Sequence, residues 1–195
     1  MARPNTSNRK ILDAAADAFS SRGYHLTSMD DIARGAGVAK GTLYYNFTTK
    51  ATLFQAVVAE GMEHLMHEVA RAVKTDAPVL DQVKTVIGLN VRTFADHPQI
   101  TRIMQNELSS GLDVEIREYV VGLRTRYREF FAGLLALGVR EGVVRDLNRE
   151  LLAMILIDII FSAASYLADH RDSMTEAEVS NFILTLLVSG AFVRR

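Results

Sequence analysis

The sequence predicts an all-α protein of about nine helices. Each clearly periodic segment repeats its apolar residues at i, i+3, i+4 and i+7, the spacing that places them on one face of a helix. Glycine, hydroxyl-bearing and acidic residues stand between these segments, where helices commonly end and begin. We find no run of alternating apolar and polar residues that would indicate a strand, and no internal repeat.

The composition is that of a soluble protein with a sizeable hydrophobic core. Of the 195 residues, 49% are hydrophobic and 23% are charged, which suits one large domain or a small domain joined to a medium one. The absence of cysteine excludes a disulfide framework, a thiolate metal site and a cysteine nucleophile. The segment MARPNTSNRK is polar and basic, so we expect no secretory signal and a cytoplasmic location.

Charge is distributed unevenly along the chain. Residues 1–50 contain seven basic and four acidic side chains, whereas the whole chain has a net charge of −1. The front of the chain is therefore basic and the remainder acidic. This asymmetry favours an anionic partner for the N-terminal region, since a local excess of lysine and arginine attracts anions.

Three short helices are predicted in the basic region. The first carries apolar residues at helical spacing over 11–19, and the third runs from about 39 to 46. The residues that mark helix ends are Gly23, Gly37, Thr27, Ser28, Asp30 and Asp31. Either hydroxyl can cap the second helix, and Gly37 supplies a left-handed exit from it. The two aspartates suit the positive end of that helix, and we expect them to face away from a bound anion.

About six longer helices are predicted after the third. Their approximate ranges are 50–74, 79–94, 100–108, 114–140, 148–167 and 174–190. Asp146 or Asn148 can cap the penultimate helix. Ser173 and Glu176 have the spacing of a capping box, in which each side chain binds the other residue's backbone N–H, at the start of the last helix.

The segment GTLYYNFTTK, residues 41–50, has the composition of a DNA-reading surface. Helix, glycine-containing turn and helix make a helix-turn-helix, and Leu43 and Phe47 lie one turn apart on the inner side of its second helix. Lysine can donate to guanine, while hydroxyls and the free N–H groups of helix starts bind phosphate. The predicted contacts are Lys40, Thr42, Tyr44 and Tyr45, with Thr27, Ser28 and Lys50 at neighbouring helix starts.

Gly41 supports this interpretation, because glycine weakens a helix by roughly 1 kcal/mol and needs a compensating reason. The close approach of another backbone would be such a reason, so we add Gly41 to the predicted contacts. The alternative is structural. Glycine-containing turns between short helices are common in all-α proteins, and Tyr44 or Tyr45 could belong partly to the core. The basic front of the chain and the hydroxyl-rich face together favour the DNA reader.

Residues 11–54 resemble the N-terminal signature of the tetracycline-repressor (TetR) family of bacterial transcription regulators. The matching positions run from the alanine-rich first helix ending in Phe19 through Gly23-Tyr24, Thr27-Ser28, Ile32-Ala33, Ala36-Gly37-Val38 and Gly41-Thr42-Leu43-Tyr44-Tyr45 to Phe47, Lys50 and Leu53. Thr49 and Ala51 depart from the commonest pattern, which has serine or asparagine and then glutamate at these positions. Threonine can still cap a helix, so the departure at 49 preserves the predicted geometry.

The resemblance implies an all-α homodimer that binds a palindromic operator in double-stranded DNA. It also implies that a small molecule entering the C-terminal domain releases the operator, and it adds Asn46 to the predicted DNA contacts. We therefore predict a helix-turn-helix domain at residues 1–50 and a larger helical domain for effector binding and dimerisation at residues 51–195. A dimer would place two recognition helices about one DNA turn, roughly 34 Å, apart.

The segment 151–161 is apolar on every side of a helix, so every side must be covered. A membrane span is disfavoured because Asp158 would lie near mid-bilayer. One face can pack within its own domain, and the other, with the last helix, predicts a four-helix interface between two chains. The alternative is a monomer whose core absorbs both helices. The predicted interface residues are Ile155, Ile159, Ser162, Ala163, Tyr166, Phe182, Leu186 and Gly190.

Methionine and aromatic residues on several helices predict a small-molecule pocket, since methionine adapts to irregular space and a few polar groups can orient a ligand. The predicted pocket residues are Met62, Met66, Asn90, Phe94, Met104, Glu107, Tyr127, Phe131, Asp158 and Phe161. The alternative is that they only fill the core. An apolar or amphipathic effector follows from the pocket, and a cationic one if Glu107 and Asp158 both face it.

No catalytic or metal-binding chemistry is predicted. His64 and His67, with nearby glutamates, have the spacing of a one-turn metal site, but a solvated charged face explains them equally well. We find no phosphate loop, activated serine or paired catalytic carboxylates, and we expect no cofactor and no enzymatic activity. The leading hypothesis is a ligand-responsive repressor. The alternatives are an architectural or division-linked DNA-binding protein without an effector, and an enzyme or ligand carrier with this fold.

Overall fold

The computed structural model describes residues 6–74, 76–106 and 112–191 of the chain. Within these ranges the protein forms nine α-helices and no β-strand, which confirms the all-α prediction. The helices are α1 (Thr6–Leu26), α2 (Met29–Ala36), α3 (Lys40–Asn46), α4 (Lys50–Ala72), α5 (Val79–Asp96), α6 (Pro98–Asn106), α7 (Val114–Arg140), α8 (Arg149–Asp169) and α9 (Glu176–Ala191).

Helix α2 begins and ends where its hydroxyl and glycine residues predicted, whereas α1 continues beyond Gly23, its predicted end. Gly23 leaves helical geometry inside α1, with φ 78° and ψ 165°, so the helix bends there before Leu26. Ser28 caps α2 by accepting a hydrogen bond from the backbone N–H of Asp31. Gly37 follows α2 with φ 65°, a left-handed conformation that glycine adopts without the strain of a Cβ atom.

The capping box of the last helix is not the predicted one. Thr175, rather than Ser173, accepts a hydrogen bond from the backbone N–H of Glu178, and the Glu178 carboxylate accepts one from the backbone N–H of Thr175 at 2.8 Å. Ser173 instead donates its hydroxyl to the carbonyl of His170 in the preceding turn. Both threonine and serine fit the motif, and only the path of that turn decides between them.

The chain divides into two compact units. The first comprises Met1–Met62 and Gln99–Val121, and the second comprises Glu63–Pro98 and Gly122–Arg195. Helices α4 and α7 each contribute residues to both units. The predicted division at residue 50 concerns function rather than compactness, and it stays a prediction.

The first unit packs α1, α2 and α3 around a small aromatic and aliphatic core. Ile32 and Leu43 are fully buried, as predicted for the inner faces of α2 and α3. The ring of Phe19 lies 5.9 Å from that of Tyr24 and 5.1 Å from that of Phe54 at the start of α4. Phe47, also predicted to point inward, is half-buried. This core fixes which side of α3 remains outside.

The second unit packs α5 against α8 and α9. The Phe94 ring on α5 lies 4.3 Å from the Phe161 ring on α8. The buried residues of α8 are Ala153, Leu156, Ile157, Ile160, Phe161, Ala164 and Leu167. Among the described helices α8 alone is long and apolar enough to cross a membrane, a test that core helices also pass. Here one face of α8 is a core face, as the sequence predicts.

Candidate DNA-binding, effector and dimerisation sites

Helix α3 turns Leu43 into the core of the first unit and leaves most of its polar side chains outside. Tyr44 is 47% exposed and Tyr45 is 88% exposed, which is unusual for side chains of this size. Lys40 is exposed at the first residue of the helix, and Thr42 is half-buried. The outward orientation predicted for Lys40 and the two tyrosines is therefore confirmed, whereas their contact with DNA stays a prediction.

The Lys40 ammonium pairs with the Asp30 carboxylate of α2 at a distance of 2.5 Å. We expected Asp30 to face away from the DNA-reading side, and this expectation is wrong, because the turn between α2 and α3 brings the two side chains together. The two residues lie ten positions apart in different helices, so helix periodicity does not predict this contact. The pair holds the Lys40 charge at the start of α3, and Asp30 must release Lys40 for it to contact a base or a phosphate.

Asp31 lies in the first turn of α2, as predicted, beside the Ser28 side chain. Its carboxylate accepts a hydrogen bond from the Ser28 hydroxyl at 2.7 Å and lies 3.2 Å from an Arg34 nitrogen. The pKa of the Asp31 carboxyl is lowered, mainly by the Ser28 hydrogen bond, against the opposing effect of desolvation and with further lowering by the charges of Arg22 and Arg34. Ser28 is exposed while it caps α2, so phosphate binding at this helix start stays a prediction.

The structure contradicts the predicted phosphate contact of Thr27. Its side chain is buried. Its hydroxyl lies 3.1 Å from the carbonyl oxygen of Ala18 and 2.8 Å from that of Gly23, and it donates to these carbonyls. Threonine at this position closes the bend at the end of α1 rather than facing solvent. Its hydrogen-bonding capacity serves the fold because the preceding glycine turns the chain back across α1.

Lys50 also has a structural role instead of the predicted phosphate contact. Its ammonium donates to the carbonyl oxygens of Tyr24, His25 and Thr27, at 2.8, 3.3 and 3.0 Å. The same nitrogen lies 4.3 Å from the centre of the Tyr24 ring, a cation–π contact. All three of its donors are thus used by carbonyls that follow α1, where a positive charge stabilises unpaired acceptors.

The remaining predicted contacts of α3 are compatible with a nucleic-acid surface. A Cβ atom built on Gly41 would meet no protein atom within 4 Å, so nothing in the described protein requires glycine there. The Asn46 amide nitrogen donates to the Thr42 carbonyl at 2.7 Å, and Asn46 is half-buried. The candidate DNA surface of this structure is thus Ser28, Lys40, Gly41, Thr42, Tyr44, Tyr45 and Asn46.

Most predicted pocket residues are buried, but they belong to two units. Asn90, Phe94, Tyr127, Phe131 and Phe161 are buried in the second unit, and Met66 of that unit is half-buried. Met62 and Met104 are buried in the first unit. Glu107 lies outside the described residues. The structure brings the five buried residues of the second unit into one compact unit, which is where we look for an effector site.

The predicted pocket role of Asp158 is wrong for this structure. Its side chain is 59% exposed, and its carboxylate lies 3.5 Å from a nitrogen of Arg124. The helix turn that carries Asp158 directs it to the surface because the inner face of α8 is already occupied by apolar residues. Asp158 therefore does not support the expectation of a cationic effector.

Two polar atoms of the second unit are buried without a hydrogen-bond partner among the described residues. They are Oδ1 of Asn90 on α5 and the phenol oxygen of Tyr127 on α7. Burial raises the pKa of Tyr127 well above its ordinary value, so the phenol stays protonated. Such atoms are rare in folded proteins and require an explanation.

The outer faces of α8 and α9 expose large apolar side chains. Phe182 is 64% exposed, and Ile155, Tyr166 and Leu186 are each about half exposed. None of the eight predicted interface residues is buried, and Ile159 and Ala163 are half-buried beside them. Leu151 and Met154 are also exposed on α8 and were not among the predicted interface residues.

The histidines of α4 do not form part of a larger cluster. The described residues contain no group of three or more histidine, cysteine, aspartate or glutamate side chains arranged to hold a metal ion. The His64 ring instead lies edge-on to the His97 ring at 6.3 Å.

Fold and site together define a helix-turn-helix protein with a polar, tyrosine-rich recognition helix and a separate helical unit. Residues 11–57 match the family model described as "Bacterial regulatory proteins, tetR family". Residues 76–187 match the one described as "Tetracyclin repressor-like, C-terminal domain". The chain belongs to the TetR family of bacterial transcription regulators, as its first 54 residues predicted.

Named relatives cover nearly the whole chain. It is 25% identical to the "Fatty acid metabolism regulator protein" of Bacillus subtilis over 93% of both chains. It is 28% identical to the "HTH-type transcriptional repressor KstR2" of Rhodococcus jostii, covering 93% of this chain and 89% of that protein. The solved structure of Bacillus subtilis FadR in complex with stearoyl-CoA superimposes with a TM-score of 0.80 at 25% identity, covering 93% of this chain and 98% of the other.

Proposed function

We propose that this transcription regulator is a ligand-responsive repressor that binds a palindromic operator as a homodimer. An apolar or amphipathic effector binds its larger helical domain and releases the operator. The observation that carries the proposal is the outer side of α3, where Lys40, Tyr44 and Tyr45 are exposed around a buried Leu43. As the DNA target lies in the bacterial cytoplasm, we also propose that location.

The dimer is supported by the exposed apolar faces of α8 and α9. An exposed patch containing Phe182, Leu186 and Tyr166 is costly in water, and a second copy of the same face would cover it symmetrically. Two helices from each chain then form a four-helix interface. A two-fold dimer presents two copies of α3, which matches a palindrome with two half-sites.

The effector class is supported by the apolar interior of the second unit and by the relatives. One relative is named as a regulator of fatty acid metabolism, and one solved structure holds stearoyl-CoA. A long apolar group suits an interior that contains Phe94, Phe131 and Phe161. Stearoyl-CoA is therefore the first probe, and we expect it to release the protein from its operator.

Genome-wide selection of DNA fragments tests the DNA-binding part of the proposal. Purified wild-type protein is incubated at moderate salt with fragmented genomic DNA of the source, beside the double variant Lys40→Ala/Tyr44→Ala. Moderate salt is needed because phosphate contacts alone give non-specific binding. Lys84→Ala removes an exposed lysine of α5 and serves as the matched control.

We expect wild type and the Lys84 variant to enrich one palindromic site that the double variant loses. Equal enrichment by the double variant would contradict α3 as the reader of DNA. Enrichment of a site without two-fold symmetry would contradict the dimer. The selected fragment then serves as the operator for effector experiments.

A further inference from the structure

The second unit contains two buried polar atoms that nothing in the described protein satisfies. Asn90 is fully buried, and its amide nitrogen donates to the Val86 carbonyl at 2.6 Å. Its Oδ1 atom has no partner, and neither has the phenol oxygen of Tyr127, which is 2% exposed. Exchanging the amide atoms of Asn90 would bring its oxygen against the Val86 oxygen, so the orientation is fixed by Val86. Unpaired buried polar atoms destabilise the protein that contains them.

The buried residues described in the second unit are apolar or uncharged. Phe94 lies one helical turn after Asn90, and its ring packs on Phe161 at 4.3 Å. The Tyr127 ring packs on Phe131 at 5.2 Å. No carboxylate, ammonium or guanidinium group is among the buried residues described in this unit. A charged ligand group enclosed here would have no counter-charge, so the enclosed part of a ligand must be neutral.

The hydrogen-bonding roles of the two atoms are different. An amide oxygen only accepts, so Asn90 requires a donor on the ligand. A phenol both donates and accepts, and the raised pKa of Tyr127 keeps its proton in place. A ligand hydroxyl can donate to Asn90 and can accept from Tyr127. A ketone offers only an acceptor and would leave Asn90 unsatisfied, while a hydrocarbon would satisfy neither.

We propose that the effector encloses in this unit a neutral, mainly apolar group bearing a hydroxyl, which donates to Asn90 Oδ1 and accepts from the Tyr127 phenol. This inference rests on the proposed function and specifies the chemistry of its effector site. A charged end of an amphipathic effector remains outside the described interior. Ligands with saturated, unsubstituted chains then bind more weakly than hydroxylated ones of equal length.

Three ligands of equal chain length, decanol, decanone and decane, test the proposal by calorimetric titration of the full-length protein. We expect wild type to bind decanol about 10-fold or more tighter than decane, the effect of leaving buried polar groups unpaired. Asn90→Leu should abolish the preference for decanol over decanone. Tyr127→Phe should weaken decanol and decanone by similar factors and leave decane unchanged.

Gln82→Leu is the matched control, because Gln82 is also buried in this unit but its amide donates to the Ala77 carbonyl at 2.7 Å. That variant should keep the preference for decanol. The melting temperature of ligand-free Tyr127→Phe should equal or exceed that of wild type, since the removed hydroxyl has no partner. A clear decrease would mean that the phenol is already satisfied inside the protein, and would overturn the inference.

Binding of the selected operator is measured in the same preparations. If the operator is bound but the three ligands bind equally, the two atoms are satisfied by internal water and only this inference fails. If decanol is preferred as expected but the protein enriches no operator, the repressor function fails and the ligand chemistry stands. Loss of the preference in the Gln82 variant would also overturn the inference, because a satisfied amide would then behave like an unsatisfied one.

Discussion

Two lysines near the recognition helix have different tasks. Lys40 is exposed and pairs with the Asp30 carboxylate, whereas the ammonium of Lys50 donates to three carbonyl oxygens. An exposed ion pair contributes little to stability, about 0 to 1 kcal/mol. Hydrogen bonds from a charged donor to carbonyls contribute more, and here they join the end of α1 to the start of α4. Lys40 can therefore reach DNA by exchanging one exposed ion pair, whereas Lys50 would have to give up three hydrogen bonds.

Replacing each lysine with methionine should separate the two roles. We expect Lys50→Met to lower the free energy of unfolding by about 1.5 to 3 kcal/mol, because it removes charge-assisted hydrogen bonds to three carbonyls. Lys40→Met should change it by less than about 0.5 kcal/mol and should weaken operator binding. Urea denaturation and titration with the selected operator measure both quantities. Equal destabilisation by the two substitutions would contradict the assignment.

Gly41 provides a second test at the residue scale. A Cβ atom there meets no protein atom within 4 Å, so Gly41→Ala should stabilise α3 by up to about 1 kcal/mol. If DNA approaches the helix at this point, the same methyl group should weaken operator affinity. Thermal unfolding and operator titration are compared with those of Gly37→Ala, which should be destabilised because φ is 65° there. Stabilisation of Gly41→Ala without loss of affinity would remove Gly41 from the DNA surface.

The Asp31 carboxylate gives a pH-dependent prediction. Its pKa in the folded protein is lowered below the ordinary value of 3.8, chiefly by the Ser28 hydroxyl. Its contribution to stability is therefore present above about pH 3.8 and is lost as the pH falls through the lowered folded value. Asp31→Asn should be less stable than wild type at neutral pH, and the difference should shrink in strong acid. Urea denaturation at both pH values measures it, and Ser28→Ala should reduce the same pH dependence.

At the scale of helices, three of the described helix starts are capped by a single side chain that satisfies a backbone N–H group. Ser28, Asn148 and Thr175 each cap a helix through a side-chain oxygen, and each stands where the chain leaves a turn. The sequence placed the first two within its stated alternatives. For α9 the predicted capping box, Ser173 with Glu176, lies two residues before the observed one, Thr175 with Glu178. Both pairs have the spacing that the motif requires.

Alanine at the two competing hydroxyl positions tests the observed capping box. We expect Thr175→Ala to cost about 1 kcal/mol of stability, since it removes the acceptor for the backbone N–H of Glu178. Ser173→Ala should cost less, because the Ser173 hydroxyl donates to a turn carbonyl and caps no helix. Denaturant unfolding of both variants under one condition gives the comparison. A larger loss of stability in Ser173→Ala than in Thr175→Ala would instead support the capping box predicted from the sequence, Ser173 with Glu176.

At the scale of the whole molecule, the outer faces of α8 and α9 leave several large apolar side chains uncovered in a single chain. Helix α8 has large apolar residues on its outer face as well as on its inner one, with Ile155 exposed and Leu156 buried. A helix of this kind requires cover on both sides. The second unit covers one side through α5 and α9, and the proposed dimer covers the other.

A charge placed on this face should separate the subunits. We expect Phe182→Glu to raise the dimer dissociation constant by about 30-fold or more, as for a central aromatic residue of an interface, and to weaken operator binding in parallel. Val121→Glu changes a similarly exposed apolar residue of α7 and should leave the dimer intact. Analytical ultracentrifugation measures both. A dimeric Phe182 variant, or a monomeric Val121 variant, would place the interface elsewhere.

Features that depend on neighbouring residues could be read from the sequence. Helix periodicity and caps are local, so α7 was predicted at 114–140 and spans Val114–Arg140. The inner and outer sides of α3 followed from the same periodicity, with Leu43 buried and Tyr45 exposed. The uncovered face of α8 was foreseen as well, because a helix that is apolar all round cannot be satisfied by a single contact.

Features that depend on distant partners were decided only by the tertiary structure. Lys50 meets carbonyls 23 to 26 positions earlier, and Asp30 meets a lysine 10 positions later. Thr27 is buried because the chain bends at Gly23, and Asp158 is exposed because α8 turns its apolar residues inward. Judged by residue type alone, each of these side chains could have had several roles. The fold selects one of them by bringing a particular donor or acceptor within hydrogen-bonding distance.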